Sequence, residues 1–209
     1  TNDVAVVVPA HPLGFSTDDT PVIFPVADLG PEGLALVGLG VGSGGVVVHQ
    51  VEDDSGPLAG LPVRYVAVLE VDGIGTGSPR SSVISDHVAP GGEVLFPEFL
   101  DLTVLDPPQA LDYHWSYTGD DHAGAYFVEL HGGSATWHVW VPGGTSSFDL
   151  EYVEPNIGLI HVDWHTTALG LRDTTYEALT HDADPGLDAF EDHVQAQARS
   201  RIQYQVDPP

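Results

Sequence analysis

Three short runs between Asp112 and Leu150 constrain the fold more than any other part of the chain. They are Tyr113-His114-Trp115-Ser116-Tyr117, Ala125-Tyr126-Phe127-Val128-Glu129-Leu130-His131 and Thr136-Trp137-His138-Val139-Trp140-Val141. Each is rich in aromatic and β-branched residues, and the breaks fall at Gly119 to Gly124 and at Gly132-Gly133. Residues of that kind fit a pleated, half-buried surface, and glycine clusters between them mark turns, so the stretch predicts an antiparallel meander. It holds three of the four tryptophans, which places the best-packed core here.

The rest of the chain extends the β pattern in both directions. Asp3 to Val8 is a valine-rich run closed by Pro9 and Pro12, and it predicts a buried strand. Val22 to Val26 lies between Pro21 and Pro25 and predicts an edge strand, because proline cannot donate to a ladder. Strands are expected over Val46 to Val51 and Leu61 to Val71, with further β pattern over Val83 to Pro90 and Glu93 to Phe96. Asp106-Pro107-Pro108 predicts a stiff hinge between two modules, residues 1–104 and 105–209. An insert is expected at about 171–199. In it, Phe190, Val194 and Ala198 recur at four-residue spacing behind Asp184 and Asp188, which predicts one short helix from Leu187 or Asp188 to about Arg199. Ser200 to Val206 alternates and closes the fold as a strand. The expected class is all-β.

Charge narrows the partners. Thirty-one acids face five basic residues, all arginine, for a formal net charge of −26. Such a chain repels a phosphate backbone and has few cations to displace its counterions, which excludes nucleic acid and an anionic membrane surface. The acid excess reads as a salt-tolerant soluble surface from a saline environment, with cation binding or docking of a basic partner as alternatives. Cysteine is absent, so disulfides and thiolate ligands are ruled out. No apolar run reaches the ~20 residues that span a bilayer. Position 1 is not methionine, which suggests a mature product freed of a secretory signal. The expected location is secreted, periplasmic or on the outer surface of a bacterium, with any membrane attachment through a lipid anchor ahead of Thr1.

Two resemblances refine the β reading. Val51-Glu52-Asp53-Asp54-Ser55-Gly56-Pro57-Leu58-Ala59-Gly60-Leu61-Pro62-Val63 is similar to the start of carboxypeptidase-regulatory-like domains, over about residues 45–89. A Trp-bearing strand, an acidic loop, Ala125-Tyr126-x-Val128, a glycine hairpin, a second Trp-bearing strand and Pro142-Gly143-Gly144 before Ser146-x-Phe148-x-Leu150 resemble fibronectin type III-like modules of bacterial surface lipoproteins, over about 105–206. These resemblances imply two immunoglobulin- or fibronectin-like β-sandwiches that bind, space or scaffold, without shared catalytic residues.

Most of the chemistry-bearing residues have ordinary structural roles. Gly38, Gly40, Gly42, Gly44 and Gly45 lack the dinucleotide spacing, and with no lysine in the chain no phosphate loop can be completed. Asp182, Asp184 and Asp188 suggest a calcium loop, but the glycine and final glutamate of that motif are out of register, so capping is the default reading. The pairs Asp18-Asp19, Asp53-Asp54 and Asp120-Asp121 read as turn acids, with calcium as the alternative at these loops. No nucleophile elbow is present. The sharpest constellation is His161-Val162-Asp163-Trp164-His165. In a strand, Val162 and Trp164 turn to the core while His161, Asp163 and His165 share the other face. If this strand lies beside Tyr126 to Leu130, the face also gains Phe127, Glu129 and His131, with His138 and Trp140 one strand further.

Imidazoles and carboxylates in that pattern suit zinc, copper or another divalent ion, so His161, Asp163, His165, Glu129 and His131 form the candidate metal set. Ligands on a flat sheet diverge, with i and i+4 about 13 Å apart, which favours a polar contact face instead. Phe127, His138 and Trp140 are then the candidate partner-binding surface. The expected function is a non-catalytic protein that binds a protein partner or holds a larger assembly together. A metal-binding protein or metal-dependent enzyme is the alternative, and a carbohydrate-binding module that stacks a glycan on Trp140 is a third.

Overall fold

The structure is a computed structural model. It describes residues 2–50, 58, 60–71, 79–86, 88, 92–109, 112–117, 123–132, 135–149, 161–180 and 193–205. The chain divides into two compact units, Thr1–Phe99 and Leu100–Pro209. Both are antiparallel β, as the alternation and the turn residues dictate. Among the described residues, no helix is long and apolar enough to cross a membrane.

The first unit contains β1 (Asn2–Val7), β2 (Val22–Asp28), β3 (Leu34–Leu36), β4 (Gly38–Val41), β5 (Gly45–Gln50), β6 (Val63–Glu70) and β7 (Arg80–Ile84). Its strands run β1-β5-β4-β2-β6-β7 from neighbour to neighbour, with β3 also on β2. Alternation buries Val6, Ile23, Val48, Ala67, Leu69 and Val83. Gly38 and Gly40 are strand residues, and Gly42 and Gly44 take the positive φ of the β4–β5 turn, so the glycine run builds a hairpin. The edge position expected for the strand at Val22 to Val26 is corrected: β2 lies inside the sheet, paired on one side with β6 and on the other with β3 and β4. The reason is a bulge. Val26 pairs with Leu36 and Val22 with Val41, so β2 advances four residues while the β3–β4 ribbon advances five. Pro25 sits at that irregularity, its carbonyl accepting from Val37 N–H, and its missing donor falls where the ladder is already broken.

The second unit contains β8 (Thr103–Gln109), β9 (Asp112–Tyr117), β10 (Ala125–Gly132), β11 (Ala135–Pro142), β12 (Ser147–Asp149), β13 (His161–Leu171), α1 (Tyr176–Thr180) and β14 (Val194–Gln205). One sheet runs β14-β13-β10-β11 and the other β12-β9-β8. The expected meander is therefore split: β10 and β11 form a hairpin, while β9 pairs with β8 and β12 in the other sheet. Aromatic side chains fill the space between the two sheets. Tyr113 meets Trp164 edge-on at 5.3 Å, Trp115 lies 5.2 Å from Tyr126, and Phe148 stacks on Tyr113 at 5.0 Å.

Two further expectations are corrected. Asp106-Pro107-Pro108 is no hinge, because β8 runs through it. β8 ends the order of its sheet, and its register with β9 breaks between Asp106 and Gln109, where prolines cost no ladder bond. The helix expected to reach Arg199 is replaced over Val194 to Arg199 by β14; its first part, with Asp182, Asp184 and Asp188, lies outside the described residues. Ala196, Ala198 and Ser200 are buried on one face of β14, and an eleven-position register with β13 outweighs the four-residue spacing of Val194 and Ala198. The α-helix among the described residues is α1, earlier in the same connection.

Candidate functional site

The outer face of β14-β13-β10-β11 brings the predicted residues together. Val162 and Trp164 are buried, as alternation requires, and Asp163 and His165 stand on the opposite side. Backbone register then sets the rows. Glu129 lies between His165 and His138, His131 between Asp163 and Thr136, and Phe127 between Thr167 and Trp140. β14 adds Arg201 opposite His165, Gln203 opposite Asp163 and Arg199 opposite Thr167. His161 lies opposite Gln205 in the register, but its side chain is outside the described residues.

Arginine organises the charges. Arg201 donates twice to Asp163, Nε to Oδ1 at 2.8 Å and Nη2 to Oδ2 at 2.6 Å, and Gln203 Nε2 donates to Oδ2 at 3.3 Å. The forked contact is the strong form of such a pair. Held chiefly by the Arg201 hydrogen bonds and helped by His165, the Asp163 carboxyl titrates at about 2, with burial opposing the shift. Arg199 Nη2 reaches Glu129 Oε2 at 3.0 Å. Two of the five basic residues in the chain are thus spent on two carboxylates of one face.

The histidines are arranged around these pairs. His165 Nε2 lies 3.2 Å from Asp163 Oδ1, yet burial first, and the Arg199 charge second, push its pKa below the ordinary histidine value. A neutral ring facing a carboxylate presents its N–H there, which leaves Nδ1 as an acceptor, and that atom is buried with no hydrogen-bond partner among the described residues. His138 is exposed and His131 half-buried, and each places Nε2 4.0 Å from Glu129 Oε1. His131 also stands edge-on to His165 at 5.8 Å.

The face changes character at its other end. Phe127 packs on Trp140 at 4.6 Å and lies 5.3 Å from His138. Around Ala125 and Leu169, the side chains of Phe127, Trp140, Leu171, Tyr176 and Val194 form a small apolar cluster. Tyr176, from α1, donates its hydroxyl to the Trp140 carbonyl at 3.2 Å. Phe127 and Trp140 are therefore half-buried under a piece of the β13–β14 connection, while His138 is exposed.

Among the described residues, no group of three or more histidines and carboxylates is placed to hold a metal ion. Glu129 and Asp163, two of the proposed ligands, are each engaged by an arginine. Of the acidic turns, Asp18-Asp19 is a capped loop in which Asp19 Oδ2 accepts from Ser16 N–H at 2.8 Å and Ser16 Oγ from Asp18 N–H at 3.2 Å. Asp53-Asp54 and Asp120-Asp121 lie outside the described residues.

Sequence reasoning found Glu129, His131, His138, Asp163 and His165 but missed Arg199, Arg201 and Gln203. The signal was present in Gln195, Gln197, Arg199, Arg201 and Gln203, polar at every second position against Ala196, Ala198, Ser200 and Ile202. Comparison with protein-family models, curated proteins and solved structures finds no match.

Proposed function

We propose that this is a non-catalytic secreted or envelope protein, built from two immunoglobulin- or fibronectin-like modules, that uses the outer face of β14-β13-β10-β11 to hold a protein partner in a larger assembly. The observation that carries this reading is the pairing of Glu129 with Arg199 and Asp163 with Arg201. A general acid or base works best with a pKa near the operating pH, whereas the Asp163 carboxyl, held at about 2 by Arg201, stays ionised and paired. The face is a nearly neutral patch of paired charges in a chain of net charge −26, with His131 and His138 open to a partner. Paired charges beside a half-buried aromatic pair suit a recognition surface.

The test is capture and cross-linking of the partner from the native envelope with wild-type protein and with His131→Ala/His138→Ala, both at the surface of the face and outside the buried core, with circular dichroism to check that the variant is folded. The reading predicts cross-links on β10, β11 and β13 and a capture reduced by about tenfold in the variant, the scale of ~1.4 kcal/mol of lost contact. Unchanged capture, or a stoichiometric transition metal in the purified protein that is lost on His161→Ala, overturns it.

A further inference from the structure

The first unit carries a second surface, independent of the histidine face. Six large apolar side chains stand in solvent there: Val7 at 70%, Leu34 at 74%, Leu36 at 63%, Leu39 at 48%, Val41 at 57% and Val47 at 51% exposed. Register makes them neighbours. The bulge between the Val26–Leu36 and Val22–Val41 pairs resets the alternation, so Leu34 and Leu36 before it and Leu39 and Val41 after it share one side of the ribbon. Without the extra residue, the second pair would turn into the core. Leu39 lies opposite His49, and Val47 follows on the same side of β5, opposite Ala5; Val7 is opposite Gly45. Gly40 permits the close approach of the two strands, since a Cβ there would stand 2.7 Å from Val48 Cγ2. That approach carries the β4–β5 contact past Leu39, toward Val41 and Val47.

Six exposed apolar side chains on one side of neighbouring strands mark an interaction site. Its charged surroundings select the occupant. Asp3, hydrogen-bonded to His49 at 2.8 Å, Asp28 opposite Leu34, and Glu32 just before β3 rim the strip. Arg64, opposite Val26, is the one arginine that register sets beside it among the described residues, and His49 is engaged by Asp3. A second copy would bring another 26 negative charges, and an anionic membrane would be repelled likewise. A cationic partner gains from the same field.

We infer that this strip docks an extended segment of a basic partner protein, apolar on the side that meets Leu34, Leu36, Leu39, Val41, Val47 and Val7 and bearing lysine or arginine toward the acidic rim. The probe is a labelled peptide of alternating valine and lysine, about ten residues long, the upper range of a strand. Its binding to the full chain is read by fluorescence anisotropy in ~0.1 M NaCl. Leu36→Ser/Val41→Ser preserves every charge and removes two apolar contacts, so binding weakens by about tenfold or more. Peptides with serine for valine, or glutamate for lysine, fail to bind. Equal binding of wild type and variant overturns the inference, because acidity alone would then hold the lysines, and so does equal binding of the glutamate peptide. A wild-type dimer in sedimentation that the double variant converts to monomer also overturns it, assigning the strip to a second copy. Circular dichroism checks that the variant is folded; if it is not, Val7→Ser/Leu34→Ser, at the two ends of the strip, gives the same reading.

Discussion

Asp163 accepts three hydrogen bonds from Arg201 and Gln203 and lies 3.2 Å from His165, so its neighbours set its chemistry. Its folded pKa of about 2 lies below the ordinary 3.8. In that interval the unfolded chain binds more protons, so the stability from the pair is complete above 3.8 and is lost as the pH falls to about 2. The same direction holds for His165, whose lowered pKa makes the unfolded chain the first to take a proton below the ordinary histidine value. The side chains of Arg201 and Asp163 are 40% and 26% exposed, so solvent screens much of the gain. Arg201→Gln is expected to lower unfolding stability by about 1 kcal/mol at neutral pH, a gap that closes by pH ~2. Urea unfolding of both proteins across that range measures it, and a gap that persists at the acid end would assign the role of Arg201 to packing. The carboxylate and imidazole were legible in the sequence, because alternation within one strand assigns their side. Alternation also assigns the side that Arg201 takes, but its pairing with Asp163 was not legible, because it arrives from a strand 38 residues away.

At the scale of elements, most β1 to β13 strands are legible because glycine, proline and β-branched residues act locally. β14 shows the limit. Val194-Gln195-Ala196-Gln197-Ala198-Arg199 has good helix formers and a four-residue apolar spacing, and only pairing with β13 makes it a strand. The proline runs failed for a related reason. Pro25 and Pro107 forbid a ladder bond, but the sequence does not show that a bulge or a register break already removes that bond. The β11–β12 connection makes a sharper demand. Gly143 donates its N–H to the Gly124 carbonyl at 3.0 Å, and a Cβ at 143 would stand 2.1 Å from the Ala123 carbonyl oxygen. Backbone cannot move aside as a flexible side chain can. Gly143→Ala is expected to cost about 1–3 kcal/mol, read as a lower urea midpoint at unchanged slope. A midpoint equal to that of the wild type would show that the two segments are not in contact there.

For the whole molecule, charge is legible in composition and its placement is not. Thirty-one acids and five arginines predict an acidic surface everywhere, yet two arginines gather on one face and leave it nearly neutral. The exposed acids repel one another through water, an effect that salt screens, with a Debye length near ~10 Å at 0.1 M and ~3 Å at 1 M. A forked contact below 3 Å between Arg201 and Asp163 lies inside that length in either case. β14 closes this face electrically, and the proposed contact role rests on that closure. NMR titration of the Asp163 carboxyl in the full chain, at both salt levels, tests it most directly. The account predicts a pKa of about 2 in low and high salt, moving up toward the ordinary value in Arg201→Gln. An Asp163 that titrates at the ordinary 3.8 or above in the wild type, or is unmoved by Arg201→Gln, would contradict it.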